Sequence, residues 1–357
     1  MKMHNFSAGP CILPQEVLEE ASQALINFDN LGLSLIEISH RSKNFVAVMD
    51  KAVALVKELL NVPEGYEVIF LQGGASLEFL MTPFNLMKNE GGKAAYSVTG
   101  TWAKKAHKEA SLLGDSLKVA SSEDRNFCYI PKNYEIPSDV DYFHCTSNNT
   151  IFGTQMKSFP ESPVTMVCDM SSDIFSRKVD VSRFGLIYAG AQKNMGPAGA
   201  TVVIVKKDLL GKTGRTIPTM LDYQTHIEKE SMFNTPPVFA VYVSMLTLQW
   251  LKNHGGISWI ESVNQKKADL MYGEIDRNSL FKGTADKEDR SNMNACFLLT
   301  NESLKDTFDT MWKDAGISGI NGHRSVGGYR ASMYNALPVE SVQALVDVMQ
   351  ELERKHG

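Results

Sequence analysis

A chain of 357 residues is too long for one simple core, since cores stop growing beyond ~250–300 residues, so two unequal domains are expected. With 43% hydrophobic and 22% charged residues and a net charge of −5, the composition is that of a soluble enzyme; it argues against nucleic acid as a partner and leaves small anionic substrates to local basic clusters. Five scattered cysteines without a CxxC pair, no signal-like apolar stretch at the N-terminus, and no apolar run near the ~20 residues of a membrane span point to the cytoplasm and exclude a membrane partner.

In chain order, a helix is predicted from Pro14 through "PQEVLEEASQALINF", with proline preset for the first turn and glutamates near its positive end. A stronger helix is predicted over 43–60, where Val46, Met49, Val53, Val56 and Leu60 recur every three to four positions. The strand "EVIFL" then meets the turn "QGGAS" and a helix. "AAYSV", "SLKVAS", "DYFHCT", "VTMVCDM", "LIYAG" and "ATVVIV" read as short buried strands, several of them continuous runs rather than alternating ones. Helices such as 101–113 lie between some of them. This alternation over 65–205 predicts an α/β fold with a mostly parallel sheet covered on both faces. Helices over 238–254 and 258–279 are split by His254-Gly255-Gly256, which places the domain boundary near Gly255. "ACFLL", a helix at 302–315, a glycine-rich loop, "YRASMY" and a last helix from Pro338 make an α+β tail. The charged loop 282–294, "KGTADKEDRSNMN", is expected to be only solvated.

"GKT" at 211–213 looks like the end of a phosphate-binding P-loop, but the glycine required before it is Lys206. No GxGxxG, HExxH or GxSxG occurs, and the histidines show no metal-ligand spacing, so no metal is expected. What remains is a set of strand ends. Lys193 follows Asp169 by 24 residues, and both end predicted strands, where open α/β sheets bind ligands. Singly, such an aspartate is usually a turn former and such a lysine a surface residue. "QGGAS", with Ala75 and Ser76, joins a strand to a helix whose first N–H groups suit a phosphate. Trp102 offers a flat face or core filling, and Thr150 a hydroxyl. A phosphate cradle, a stacking surface, a carboxylate and a lysine are the parts that hold pyridoxal 5'-phosphate, with the small neighbours Ala191, Gly196, Ala198 and Gly199 leaving it room.

"FSAGP", "SHRSKNF", "QGGAS", "GTWAKKA", "SNNTIFG", "CDMSSDI", "YAGAQKNMGPAG", "FNTPPVF" and "GHRSVGGYRASMYNAL", in this order, resemble the phosphoserine aminotransferase family. The likeness runs from residue 5 to the C-terminal helix. "QGGAS" lacks the arginine that some members carry in this turn, and "NNT" replaces their "NET" while keeping Thr150. The resemblance implies a fold-type-I pyridoxal-phosphate transferase: a large domain over 16–254 with a seven-stranded-type sheet, and a smaller domain from 1–15 and 255–357. It implies Lys193 as the Schiff-base lysine and proton shuttle, Asp169 on the pyridinium nitrogen, Trp102 stacked on the ring and Thr150 at its hydroxyl side. Ala75, Ser76 and Gln192 are implied as phosphate contacts, while Asn234 and Thr235 reach the phosphate of a neighbouring subunit in a homodimer with shared active sites. Asp173 is not the implied cofactor aspartate.

By the same resemblance Arg330 clamps the substrate α-carboxylate, His40-Arg41 and His323-Arg324 form a distal anion pocket, and Ser7 contacts substrate. The implied reaction is ping-pong: L-glutamate leaves its amino group and departs as 2-oxoglutarate, and 3-phosphonooxypyruvate becomes O-phospho-L-serine. A second activity, on 4-phosphohydroxy-L-threonine in pyridoxine synthesis, would use the same distal pocket. Two rival readings stand beside it. A cysteine desulfurase-like lyase needs a reactive cysteine on a mobile loop, and Cys296 lies in a strand-like run. A non-catalytic nucleotide-binding protein would rest on "GKT" alone.

Overall fold

The computed structural model describes residues 3–357. In chain order its main elements are α1 (Gln15–Ile26), α2 (Lys43–Leu59), β1 (Tyr66–Leu71), α3 (Gly74–Leu86), β2 (Lys93–Val98), α4 (Thr101–Ala110) and β3 (Asp115–Ser121). Then come β4 (Tyr142–Thr146), β5 (Met166–Asp169), β6 (Leu186–Gly190), β7 (Thr201–Lys206), α5 (Tyr223–Glu228), α6 (Val238–Asn253) and α7 (Gly256–Arg277). The chain ends with β8 (Phe281–Gly283), β9 (Asn294–Leu299), α8 (Lys305–Asp314), β10 (Tyr329–Ser332) and α9 (Val339–His356).

Seven strands form one sheet in the order β1-β7-β6-β5-β4-β2-β3. β7 is antiparallel to both neighbours and every other pair is parallel, so the remaining strands all point their carboxyl ends to one edge. β4, β5 and β6 are buried along their whole length, as central strands covered on both faces must be. β3 is a correction to the expected set of buried strands. Only its Ala120 is buried, because β3 lies at the sheet edge with β2 as its one neighbour.

Helices α1, α2 and α6 cover one face, with Phe45, Met49, Val56, Val241 and Leu248 in the core. α3 and α4 cover the other, over Phe79, Ala106, Tyr96 and Tyr188. The buried stripe of α2 is Phe45, Val48, Met49, Ala52, Leu55 and Val56. Val46 and Val53, expected inside, are only half-buried. The helix is rotated by about one position, which seats the larger Phe45 in the core.

A second core joins Phe6 and Ile12 to Met271, Ile275, Phe297, Phe308, Tyr329 and Leu345, beside the antiparallel sheet β8-β9-β10. α7 connects the two cores: Ile257 and Ile260 lie in the first and Met271 and Ile275 in the second. Loop 282–294 differs from its expectation. Asp289 is buried and accepts from the Ile130 N–H at 2.9 Å. Arg290 forks onto Asp276 and lies over the Tyr272 ring, and Arg125 forks onto Asp286. Asp286, Asp289 and Arg290 therefore tie distant segments together, while Lys282, Lys287 and Glu288 stay exposed as expected. Among the described residues, no helix is long and apolar enough to cross a membrane.

Candidate active site

The carboxyl edge of the sheet gathers the candidate residues from separate strands. After β1, Gly73 takes a left-handed φ of 89° as the N-cap of α3, and a Cβ there would lie 2.6 Å from Leu77 Cβ. Only glycine makes this turn, which leaves the first N–H groups of α3, at Ala75 and Ser76, without a side-chain cap. After β2, α4 places Trp102 in its first turn, and the buried indole N–H has no partner. Thr150 is buried beyond β4, Asp169 is the last residue of β5, and Lys193 lies in the turn after β6.

Lys193 Nζ donates to Thr150 Oγ1 at 2.8 Å and stands 5.9 Å from the centre of the Trp102 ring. Burial draws its pKa down from 10.5 to about 8; the Asp169 charge resists that shift, while Arg330 adds to it. Asp169 is itself raised by burial, and the Ser171 hydrogen bonds and the Lys193 charge oppose the rise. Its Oδ1 accepts from the Ser171 N–H at 2.9 Å. The nearby Asp173 is spent on protein partners, namely Ser147 Oγ, Gln155 Nε2 at 3.0 Å and Arg177 Nη2 at 3.3 Å. Asp169 is thus the carboxylate left with capacity for a ligand at this edge.

Arg330, on β10, reaches the same edge from the second core. Its Nη1 donates to the Thr150 carbonyl at a long 3.4 Å, and its buried Nε has no partner. A guanidinium held this way is a ready receptor for a carboxylate. His323 is held below its usual range by burial, then by Arg330 and Arg324; its Nδ1 shares a hydrogen with Ser325 Oγ at 2.7 Å. Ser7 is half-buried and packs on the loop before β10, where a Cβ at Gly319 would meet its Oγ. Gln192 folds back over Gly190, where a Cβ would lie 2.7 Å from its Oε1.

The other expected residues lie apart. His40 has a buried, unpartnered Nε2 and Arg41 is exposed, both on the loop before α2. Asn234 is half-buried and Thr235 exposed; the Thr235 carbonyl accepts from Gln72 Nε2 at 2.9 Å, which ties this segment to the cradle turn. Among the described residues, no hydrogen bond or ion pair joins His40, Arg41, Asn234 or Thr235 to Lys193. Two of the small residues after Lys193, Gly196 and Gly199, also make room for a helix. A Cβ at Gly196 would lie 2.3 Å from Ser244 Oγ, and one at Gly199 3.3 Å from Ala240 Cβ. They let α6 pack against the turn.

Sequence reasoning missed the supports of this turn. The Cys11 N–H donates to the Gln192 carbonyl at 3.1 Å and its thiol to the Lys193 carbonyl. Burial pushes that thiol up to about 12 and Cys296 likewise, so neither is a nucleophile. "FSAGPC" carried a signal only in retrospect, since no local pattern pairs a cysteine with a residue so far along the chain. The set fits pyridoxal phosphate: free amides for a phosphate, an indole face for a ring, a carboxylate for its nitrogen and an amine for its aldehyde.

Residues 3–345 match the family model described as aminotransferase class-V. The chain is 69% identical over 356 residues to phosphoserine aminotransferase of Flavobacterium psychrophilum, covering 99% of this chain and 100% of that protein. It is similar to the solved phosphoserine aminotransferase from Bacillus circulans subsp. alkalophilus, with 46% identity, a TM-score of 0.96, and 100% and 99% of the two chains covered. It is also similar to the PLP-bound phosphoserine aminotransferase from Trichomonas vaginalis, with 36% identity, a TM-score of 0.92, and 98% and 100% covered.

Proposed function

The chain belongs to the class-V aminotransferases, and from that premise we propose that it moves the amino group of L-glutamate to 3-phosphonooxypyruvate, yielding 2-oxoglutarate and O-phospho-L-serine for serine biosynthesis. Pyridoxal phosphate is its cofactor, which carries the amino group between half-reactions and draws electrons from the carbon being deprotonated.

The residues divide that work. Lys193, with its pKa near 8, has a usable neutral share at physiological pH, so its Nζ can bind the aldehyde and later carry a proton at the substrate carbon. Thr150 Oγ1 orients that nitrogen. Asp169 keeps a proton on the ring nitrogen, Trp102 holds the ring by stacking, and the amides of Ala75 and Ser76 with Gln192 receive the phosphate. Asn234 and Thr235 add to the phosphate site of a partner subunit. Arg330 takes the α-carboxylate, and Ser7 borders that position.

His40-Arg41 and His323-Arg324 receive the distal anion, a carboxylate in one half-reaction and a phosphate in the other; titrating histidines let one pocket serve both charges. Because His40 and Arg41 lie apart from Lys193, a homodimer with shared sites is part of this reading. The exposed apolar residues Ile26 (73% exposed), Leu33 (48%) and Ile36 (63%) beside that loop offer a face for the second copy to cover. The division into 16–254 against 1–15 with 255–357 is supported by Phe6 and Ile12 in the second core. A cytoplasmic location accords with five unbridged cysteines, three of them buried.

The observation that carries the reading is the convergence of Lys193, Thr150, Asp169 and Arg330 from four strands. A coupled assay with glutamate and a panel of keto acids tests it, and 3-phosphonooxypyruvate should be the best acceptor by kcat/KM. The panel includes the keto acid of 4-phosphohydroxy-L-threonine, so that second substrate is read in the same experiment. Lys193→Ala should lose the visible band of bound cofactor and transamination together; normal turnover in that variant would falsify the assignment.

A further inference from the structure

One buried ion has no part in the chemistry above. Lys267, on α7, is 0% exposed, and its Nζ donates to three backbone carbonyls: Met333 at 2.9 Å, Tyr334 at 2.7 Å and Leu337 at 3.1 Å. Burial pulls its pKa down to about 7, whereas three carbonyl acceptors favour the ammonium. A buried ammonium without a carboxylate partner is costly, and an apolar side chain of the same length would be cheaper if only packing mattered. All its acceptors fall on one turn, between β10 and α9.

That turn is where three segments meet. The Asn335 N–H donates to Asn194 Oδ1 at 2.9 Å, directly after Lys193. Asn335 Nδ2 donates to the Phe175 carbonyl at 2.9 Å, and Asn194 Nδ2 to the Ile174 carbonyl at 2.9 Å. Residues 174 and 175 follow Asp169 on the segment leaving β5. One turn of α7 before Lys267, Asn264 donates to Asn335 Oδ1 at 2.9 Å and to the Ser176 carbonyl at 3.1 Å. Tyr334 Oη donates to the Ala8 carbonyl at 2.8 Å, which fixes the N-terminal strip that braces Lys193 through Cys11. Arg330 stands on the strand that enters this turn.

We propose that Asn335, on a turn anchored by Lys267, is a positioning residue that sets Lys193, Asp169 and Arg330 at fixed distances from one another. The substrate carboxylate is gripped by an arginine of the second core, while its α-carbon must meet an amine held by the first. A displacement of about 1 Å between reacting groups costs on the order of a hundredfold in rate. The links among Asn194, Asn264, Lys267 and Asn335 are buried, so they are neither loosened by water nor dependent on a ligand to form. This inference rests on the reading of Lys193 and Arg330 given under Proposed function.

The test uses the holoenzyme and the variants Asn335→Ala, Lys267→Met and their combination. Asn335→Ala should lower kcat/KM for glutamate by roughly 10- to 100-fold per bound cofactor, alter the visible circular dichroism of each bound cofactor, and speed amide exchange at Met195 and Gly196. Both amides bond to the Ala191 carbonyl across the Lys193 turn. Since both substitutions act through one turn, the double variant should stay within about threefold of the worse single one. Multiplying losses, or unchanged dichroism and exchange in Asn335→Ala, overturn the proposal. If Lys267→Met does not fold, Lys267→Gln, which keeps donors for the same carbonyls, takes its place in the cycle. Wild-type enzyme that prefers another keto acid would overturn the substrate reading alone, because exchange and dichroism are read without substrate.

Discussion

The depressed pKa of Lys193 gives the sharpest quantitative expectation. Only the neutral amine attacks an aldehyde, so the rate at which apoenzyme captures pyridoxal phosphate should track the neutral fraction. An ordinary lysine with a pKa of 10.5 is neutral about once in three thousand molecules at pH 7; one at about 8 is neutral about once in ten. The site should thus capture the aldehyde roughly 300-fold more readily at pH 7 than an exposed lysine of equal access. The logarithm of the rate should rise with pH and bend to a plateau near 8. Asp169 raises this value and Arg330 lowers it, so Asp169→Asn should move the bend down and Arg330→Gln should move it up. Stopped-flow absorbance between pH 6 and 10 reads the bend, with a lysine peptide reporting the cofactor's own titration. A bend near the ordinary lysine value, or an upward move in Asp169→Asn, refutes the burial argument.

Removing Arg41 or Arg324 as alanine should raise the KM for O-phospho-L-serine at least about tenfold, since charge-assisted pairs to a phosphate are the strong ones; cofactor content, read by absorbance, should stay within about twofold. Equal losses of both would mean that these arginines support the fold instead. Glu78 is 0% exposed, accepts a hydrogen bond from Tyr223, and is pushed up from 4.5 to about 8 by burial. A carboxyl raised in the folded state binds its proton more tightly there, so stability should fall as pH climbs from about 4.5 to about 8, by at most about 5 kcal/mol. Glu78→Gln keeps an acceptor for Tyr223 and should flatten that slope in thermal unfolding, whereas an unchanged slope would place the titration elsewhere.

The parts of the fold that could be read from sequence are those whose physics is local. Continuous apolar runs over 142–146, 166–169 and 186–190 report burial on both faces, and they are the central strands. "SLKVAS" looks similar, but its exposure depends on having one neighbour in the sheet, a property of strand order that no hexamer contains. The same holds for loop 282–294, whose charges read as solvated until Asp276 and Arg125 arrive from elsewhere. Gly196 was legible as small; what it is small for is Ser244, on a helix that begins far downstream.

At the site the division is sharper. Lys193 and Asp169 stand out only as members of a set, because charges gathered at the ends of buried strands are costly unless used. Asn194 and Asn335 carry no such mark, being uncharged and separated by 141 positions, yet their bond helps to set where the lysine stands. The reason is that chemistry constrains residue type, while positioning constrains only distance, and many polar side chains can hold one. The unpaired Nε of Arg330 and Nε2 of His40 extend the point. A buried donor without a partner costs about 1–3 kcal/mol, a cost that packing alone would remove by substitution. Under the proposed function, a substrate carboxylate supplies the acceptor for Arg330 and a second copy the partner for His40. The proposed function is thus written partly in bonds the chain leaves unmade, at Arg330 on the carboxyl edge and at His40 away from it.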